Sequence, residues 1–178
     1  MATGLAGVRV AVLAERQYEE LELWYPLLRL REEGAAPEVV APRPGEYASK
    51  RGYPVQAARA AADCQAGDFA GVVVPGGNCP DYLRRDAAVV DLVRGVAARG
   101  GVVGAICHGG SVLCSADVLR GRRATSHPAI RVDLRNAGAL WEDAEVVVDG
   151  PLVTSRHPDD LPAFWRAFAE ALRRRAGA

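Results

Sequence analysis

The sequence predicts a single α/β domain with a mostly parallel sheet and helices on both faces. Three observations lead to this prediction. Short apolar runs rich in β-branched residues alternate with segments whose apolar residues follow helical spacing. The 178 residues, of which 49% are hydrophobic, suit one domain with one sizeable core. No internal repeat, low-complexity tract or linker divides the chain, so we expect one domain over residues 1–178.

The first half of the chain is predicted to contain three strands and one long helix. Apolar β-branched runs mark the strands, at residues 8–14, 37–41 and 70–74. Residues 19–33 carry leucine and aromatic residues at helical spacing, and Gly34 is a natural C-terminal cap for that helix. Residues 42–53 are rich in proline, glycine and charge, so we expect a loop there.

The second half is predicted to contain further helices and strands and one hairpin. Helices are expected at residues 86–99, 111–119, 130–137 and 161–175, and strands at residues 102–106, 145–148 and 152–154. Asp149-Gly150 separates the last two strands, and this dipeptide favours the tight turn of an antiparallel hairpin. We therefore expect a small antiparallel element at one edge of the parallel sheet.

Charge and composition exclude several classes of partner. Lys plus Arg and Asp plus Glu are 22 each, so the formal net charge is zero and nothing indicates nucleic-acid or membrane binding. Near-zero net charge permits association between copies of the chain. Residues 1–7 have no basic segment followed by a long apolar run, and every apolar stretch is strand-sized. We therefore expect neither a signal peptide nor a membrane span.

Cysteine and histidine usage bears on the compartment and on cofactors. The four cysteines have no CxxC pair and no framework spacing, so we expect free thiols in a reducing, cytoplasmic setting. The three histidines lack metal-ligand spacing, and no phosphate loop or dinucleotide fingerprint is present. We therefore expect neither a metal nor a cofactor.

The strongest chemical signal is the run Val-Val-Gly-Ala-Ile-Cys-His-Gly-Gly, which places Cys107 between a buried strand and a helix. This pattern is typical of a nucleophile elbow, with cysteine as nucleophile and Ala105 in place of the first glycine. The elbow presents the sulfur at the carboxyl end of the sheet and at a helix N-terminus, which favours thiolate. The backbone N–H of His108 is then available as an oxyanion donor. Cysteine is often a buried core residue, but the strand-to-glycine turn outweighs that alternative here.

Two further segments are predicted to lie near Cys107. The glycines of Pro75-Gly76-Gly77 follow a buried strand and could supply a second oxyanion donor, although this tripeptide is also an ordinary turn. Glu22 lies among apolar residues at the same end of the sheet. A carboxyl in such a site has a raised pKa, and its protonated form can donate to a thiolate. His108 is a candidate base, although adjacent side chains at a turn usually diverge.

These motifs resemble those of the DJ-1/PfpI superfamily, which is related to class I glutamine amidotransferases. The resemblance covers nearly the whole chain, and the Cys-His pair makes the sequence more similar to the PfpI branch. It rests on the segments Tyr18 to Pro26, Val74 to Gly77, Ala105 to Gly109, Leu119 to Arg122, Asn136 to Ala139, Val148 to Gly150, Val153 to Arg156 and Asp160 to Pro162.

The resemblance implies a flavodoxin-like three-layer sandwich and a set of site roles. Cys107 is the nucleophile, Glu22 makes a short hydrogen bond to its sulfur, and His108 is the base. An acidic residue from a neighbouring subunit lies near His108 in the family, and the matching position here is Asp81. The resemblance thus implies a homodimer or a higher homo-oligomer.

Some positions depart from the family pattern or have only accessory roles. Asp81 is one methylene shorter than the usual glutamate, Gly110 replaces a common proline, and Cys79 is not part of the pattern. His127 matches a position that varies between histidine and tyrosine. Glu19, in the first turn of a predicted helix, and His127 are accessory candidates.

The resemblance implies a cofactor-free cysteine enzyme that acts on α-dicarbonyls, such as methylglyoxal, or on their adducts. The expected substrate is therefore a small carbonyl compound or a modified peptide. One alternative is a cysteine peptidase or amidase that uses the same residues. Another is a non-catalytic sensor or chaperone in which Cys107 is oxidised.

Overall fold

In a computed structural model, residues 4–177 of the chain are described. Residues 1–3, part of the segment in which we expect no signal peptide, lie outside this part, as does residue 178. The described residues form eleven strands and six α-helices. The strands are β1 (Arg9–Leu13), β2 (Ala36–Ala41), β3 (Gly45–Ala48), β4 (Pro54–Ala57), β5 (Arg59–Ala60), β6 (Gly71–Val74), β7 (Val102–Ile106), β8 (Arg123–Ala124), β9 (Leu140–Trp141), β10 (Val146–Asp149) and β11 (Leu152–Ser155). The helices are α1 (Glu20–Glu32), α2 (Cys79–Leu83), α3 (Ala87–Ala98), α4 (Gly110–Ser115), α5 (Arg131–Asn136) and α6 (Leu161–Ala176).

Seven strands form the central sheet, in the order β10-β11-β7-β6-β1-β2-β5. Every neighbouring pair is parallel except β10 and β11, which form the antiparallel hairpin predicted from Asp149-Gly150. The predicted fold class is therefore confirmed. Strands β6 and β7 are buried along their whole length, which explains their uninterrupted apolar sequences.

Helices cover both faces of the sheet. Helices α1 and α6 pack together over the central strands, and α3 packs with α4. Gly104 in β7 lets α6 approach closely, because a Cβ there would lie 2.8 Å from ring atoms of Phe164 and Phe168. These two rings are themselves stacked, with centroids 5.6 Å apart. Helix α6 therefore packs closely against strand β7, which leads to Cys107.

Two predicted elements differ from the structure. The predicted loop at residues 42–53 contains β3, which pairs with β4 in a second antiparallel hairpin, with Tyr47 opposite Val55. The strand has only four residues and begins at Gly45, directly after Pro44, so its proline and glycine indicated a loop instead. The helix predicted at residues 111–119 ends at Ser115, because Asp117 adopts a left-handed backbone with φ 53°.

The remaining elements agree with prediction within a few residues. Asp86 caps α3 as its side chain accepts a hydrogen bond from the N–H of Val89. Gly34, with φ 77°, follows the end of α1. Among the described residues, no helix is long and apolar enough to cross a membrane.

Candidate active site

Cys107 lies at a strained turn between β7 and α4. Its φ is 58°, a left-handed conformation that side chains other than glycine rarely adopt. One turn of 3-10 helix follows, and α4 begins at Gly110. Gly109 is needed for this path because a Cβ there would lie 2.4 Å from the carbonyl oxygen of Val74. The backbone is thus that of a nucleophile elbow.

The surroundings of the Cys107 sulfur act on its pKa in opposite directions. Burial is the largest influence, followed by the charge of Glu22, and together they raise the pKa of the thiol to about 12. Hydrogen bonds from the backbone N–H groups of His108 and Gly77 act against them. Burial and Glu22 therefore oppose the stabilisation of thiolate that is expected from the helix N-terminus. The helix that follows, α4, has only six residues.

Glu22 is a fully buried carboxyl beneath the nucleophile. Its Oε2 accepts a hydrogen bond of 2.7 Å from the N–H of Gly76. Its Oε1 is buried without a well-formed hydrogen bond to any described residue, and the carboxyl lies close enough to the Cys107 thiol to shift its pKa. Burial raises the pKa of Glu22 to about 8, against the effect of the Gly76 N–H. At neutral pH Glu22 therefore holds a proton that it can donate to the sulfur.

The two glycines of the β6 turn have different roles. Gly76 cannot serve as the expected oxyanion donor, because its N–H is already bonded to Glu22. A Cβ on Gly76 would lie 2.6 Å from Oε2 of Glu22 and 2.8 Å from Cβ of Cys107, so this position brings the backbone against both groups. Gly77, with φ 77°, directs its N–H at the sulfur together with His108. Gly77 and His108 are therefore the pair of donors nearest the reacting atom.

The histidine rings next to the sulfur are arranged for proton transfer. Nδ1 of His108 lies 3.2 Å from Sγ of Cys107, so the adjacent side chain does reach the thiol. Its ring stacks on that of His127 with centroids 4.7 Å apart. Burial and the neighbouring His127 lower the pKa of His108. His108 is thus a neutral imidazole at neutral pH, the form that can accept the thiol proton.

His127 also supports the elbow through its backbone. Its N–H donates to the carbonyl oxygen of Cys107 at 3.2 Å, and its Nδ1 accepts a hydrogen bond from the N–H of Ala129. This second bond leaves Nε2 of a neutral ring to carry the proton. His127 therefore both holds the strained turn and covers one face of His108.

Asp81 lies in the short helix α2. It occupies the third residue of the helix, and Asn78 is the N-cap residue. The aspartate is exposed, and its charge raises the pKa of His108 in the same chain. Within the described residues its carboxylate forms no hydrogen bond or ion pair. Its expected contact with a neighbouring subunit stays a prediction.

A cleft of about 250 Å³ opens over the sulfur. Loops that follow four adjacent strands, β1, β6, β7 and β11, contribute to it, as expected at the carboxyl end of an open α/β sheet. The residues lining it are Glu19, Glu22, Lys50, Gly77, Asn78, Cys107, His108, His127, His157 and Pro158. The predicted residues Glu19 and His127 thus lie in the cleft.

Sequence reasoning missed Lys50, Asn78 and His157 as cleft residues. Lys50 lies at the tip of the β3–β4 hairpin, within the segment predicted to be a loop. One signal could have identified it, because it is the only lysine in the chain. Asn78 directly follows the glycines predicted to lie near Cys107, which was a signal for its position, whereas the turn before His157 carries no comparable signal.

Comparison with known proteins agrees with this geometry. The sequence profile described as the DJ-1/PfpI family matches residues 8–171. The chain belongs to the DJ-1/PfpI family. A deglycase of Pyrococcus abyssi is 43% identical over 166 residues, which cover 93% of this chain and all of that protein. A Bacillus subtilis relative with a provisional name as a cysteine protease is 39% identical, covering 93% of this chain and 98% of its own.

A solved structure of the family has the same fold. The crystal structure of DJ-1beta from Drosophila melanogaster superposes with a TM-score of 0.83 at 28% identity, over 96% of each chain. This match supports the same three-layer fold for the chain.

The other three cysteines of this DJ-1/PfpI domain are set apart from the cleft. Cys79 is fully buried in α2, and burial raises its pKa. Burial also raises the pKa of Cys114 to about 11 and that of Cys64. Within residues 4–177, no group of three or more His, Cys, Asp or Glu side chains is placed to hold a metal ion.

Proposed function

We propose that this protein is a cofactor-free cysteine enzyme that acts on α-dicarbonyls, such as methylglyoxal, or on their adducts with amines. One observation carries the proposal: the strained Cys107 has Nδ1 of His108 at 3.2 Å and two backbone N–H groups directed at its sulfur. This arrangement provides a nucleophile, a base and oxyanion donors around one point in the cleft.

The reaction begins with addition of sulfur to the aldehyde carbon. His108 accepts the thiol proton, the C–S bond forms, and the carbonyl π electrons move to oxygen, which the donors of Gly77 and His108 stabilise. The proton returns to that oxygen and gives a hemithioacetal. A base then removes the proton from the carbon bonded to sulfur, and the electron pair of this C–H bond forms the C=C bond of an enediol as the neighbouring carbonyl oxygen is protonated. Protonation of the neighbouring carbon and loss of the hydroxyl proton from the sulfur-bearing carbon yield a thioester. Water then releases a hydroxy acid and restores the thiol.

The size of the cleft favours a small substrate over a polypeptide. A volume of about 250 Å³ accommodates a three-carbon dicarbonyl but not several residues of an extended peptide. The name of the Pyrococcus abyssi deglycase supports the same substrate class, whereas that of the Bacillus subtilis relative supports a peptidase. We favour the dicarbonyl substrate because its reaction requires only the groups already placed at the sulfur.

A substrate panel with Cys107→Ser as control tests the proposal. Methylglyoxal, glyoxal, a glycated peptide and casein would be incubated with dialysed protein, and products quantified. The proposal is supported if the wild type turns over dicarbonyls or their adducts and Cys107→Ser does not. Casein cleavage without dicarbonyl turnover would support a peptidase instead. No turnover, with stoichiometric oxidation of Cys107 by peroxide, would support a sensor. Turnover that chelation abolishes and metal restores would contradict the cofactor-free mechanism.

We also propose that the site is shared between subunits of a homodimer or higher homo-oligomer. Asp81 is exposed near the cleft, and its charge favours the protonated form of His108. A carboxylate from a neighbouring copy would orient the imidazole as the third member of a triad does. This role requires Asp81 to reach across an interface despite its short side chain.

A further inference from the structure

Lys50 is an exception in the composition of the chain. Of its 22 cationic side chains, 21 are arginines and one is lysine. Among the described residues that line the cleft, Lys50 is also the only lysine or arginine. An ammonium is a compact charge with three rotatable donors, whereas a guanidinium is a planar fork. The cleft therefore contains a type of cation that the rest of the chain does not use.

The hairpin tip that carries Lys50 is anchored on both sides. Oε1 of Glu20 accepts hydrogen bonds from Oγ of Ser49 at 2.6 Å and from the N–H of Arg51 at 2.9 Å. The N–H of Lys50 itself donates to the carbonyl oxygen of Tyr18 at 3.0 Å. Oγ of Ser49 also accepts from the N–H of Tyr53. The start of α1 thus fixes the turn, and Lys50 is held over the cleft.

The ammonium of Lys50 keeps donors available for a ligand. Its Nζ lies 3.4 Å from Oε2 of Glu19, a carboxylate that is mostly buried and that also has the Arg51 guanidinium at 3.7 Å. The Lys50 side chain is 43% exposed. One contact to Glu19 uses one of its three N–H donors, so two remain directed at solvent or substrate.

The charge of Lys50 reaches the reacting groups. It lowers the pKa of Glu22 and that of His108, so the ammonium lies within electrostatic range of both. Glu22 and His108 are themselves neutral at neutral pH, as argued above. Lys50 is therefore placed to attract an anion toward the sulfur.

We propose that Lys50 is a specificity-determining residue that binds a carboxylate, so that the cleft favours carbonyl compounds with an anionic group beside the reacting carbon. The proposal rests on the proposed function only in taking Cys107 as the nucleophile. Glu20 is the positioning residue that holds Lys50 in place.

Iodoacetate and iodoacetamide provide a matched test, because they share a reactive carbon and differ in charge. The rates of Cys107 alkylation by each reagent would be measured, and their ratio compared among variants. We expect Lys50→Gln to lower the iodoacetate-to-iodoacetamide ratio about tenfold, as loss of one nearby charge predicts. Lys50→Arg should retain most of the ratio, and Glu20→Gln should give an intermediate value.

Arg166→Gln is the matched control, since it removes one positive charge from the exposed face of α6, away from the cleft. Its ratio should equal that of the wild type. An unchanged ratio in Lys50→Gln, or an equal fall in both alkylation rates, would overturn the proposal. A wild-type ratio in Glu20→Gln would overturn the positioning role. The assay needs only the thiol, so it remains decisive if the protein does not turn over dicarbonyls.

A second measurement addresses the substrate class directly. Glyoxylate is an aldehyde with a carboxylate, and glyoxal is its neutral counterpart. Each would be used to protect Cys107 from iodoacetamide by reversible hemithioacetal formation. The concentration of glyoxylate needed for protection should rise in Lys50→Gln while that of glyoxal stays constant. Equal changes for both aldehydes would contradict recognition of the carboxylate.

Discussion

At the scale of single residues, the protonation states of Cys107 and Glu22 are coupled. An ionised Glu22 raises the pKa of the Cys107 thiol, so thiolate forms more readily when the Glu22 carboxyl is protonated. Burial keeps the Glu22 carboxyl protonated at neutral pH by raising its pKa to about 8. The pair is therefore poised for nucleophilic chemistry near and below this pH.

The pH dependence of Cys107 alkylation should reveal this pairing. Glu22→Gln keeps a donor but cannot ionise, so its alkylation rate should match that of the wild type at pH 6.5. Above pH 8 the wild-type carboxyl ionises and opposes thiolate formation, and the variant should then react about tenfold faster, as one pKa unit implies. Glu22→Leu, which lacks the donor, should react more slowly at pH 6.5. Parallel wild-type and Glu22→Gln profiles from pH 6 to 10 would contradict the idea.

Cys107 should be the most reactive of the four thiols at neutral pH. Burial and an ionised Glu22 raise the pKa of Cys107 above that of Cys114. With Glu22 protonated its charge no longer opposes ionisation, and two backbone N–H donors and the His108 imidazole lie at the Cys107 sulfur to favour thiolate. Mass spectrometry after sub-stoichiometric iodoacetamide would rank the sites, with Cys107→Ser as control. Preferential labelling of Cys64 or Cys114 would show that the elbow does not activate its cysteine.

At the scale of elements, the site depends on backbone approaches that only glycine permits. The β6 turn and the first turn after β7 come so close that a Cβ on Gly109 would collide with the backbone of Val74. This contact places the Gly77 N–H and the Cys107 sulfur side by side. The catalytic geometry is therefore a property of two turns packed together.

Gly109→Ala should destabilise the protein and slow alkylation of Cys107. The added methyl would lie 2.4 Å from a carbonyl oxygen, and relief of this overlap should cost about 2–3 kcal/mol. Gly67→Ala is a suitable control because its Cβ would meet only the flexible end of Arg99, at 3.4 Å. Urea unfolding of both variants measures the difference. Equal free energies of unfolding would show that the turns can separate without penalty.

At the scale of the whole molecule, stability is coupled to the proton on Glu22. The folded-state pKa of about 8 lies above the ordinary value of 4.5, so the folded protein binds this proton more tightly than the unfolded chain. The resulting stabilisation is fully present below pH 4.5 and is lost as the pH rises through 8.

The wild-type free energy of unfolding should therefore fall relative to that of Glu22→Gln as the pH rises from 5 to 9. The change should amount to a few kcal/mol, with an upper bound of about 5 kcal/mol from the shift in pKa. Urea titrations at pH 5, 7 and 9 would measure both proteins, and the difference between them cancels other titrating groups. A constant difference across this range would mean that Glu22 titrates normally in the folded protein.

Subunit mixing tests the shared site. Inactive Cys107→Ser and inactive Asp81→Ala proteins would be combined under exchange conditions. If an Asp81 carboxylate acts on the neighbouring His108, some mixed interfaces pair an intact Cys107 with an intact Asp81, and activity should partly return. A fully active monomer in sedimentation, or an Asp81→Ala variant that loses stability but no activity, would refute the shared site.

Features that depend on neighbouring residues could be predicted from the sequence, whereas contacts between segments distant in the chain could not. Apolar runs identified the central strands, and the glycine-flanked turn identified Cys107, since both depend on neighbours in the chain. The bond from the Gly76 N–H to Glu22 joins residues 54 positions apart, so no local pattern could assign that N–H to the carboxyl rather than to a substrate. The β3–β4 hairpin was missed because its strands are short and its turn is held by bonds from Ser49 and Lys50 to Glu20 and Tyr18, which are distant in the sequence.

The position of the single lysine also matters for handling the protein. Amine-directed reagents have one side-chain target in the whole chain, and it lies half exposed at the mouth of the cleft. A fluorophore coupled there would lie at the mouth of the cleft, and its attachment would remove the ammonium charge that we propose binds the substrate carboxylate. Immobilisation on an amine-reactive resin through Lys50 would likewise block the mouth of the cleft. Coupling through a reactive group introduced on the surface of α6 would leave the cleft open.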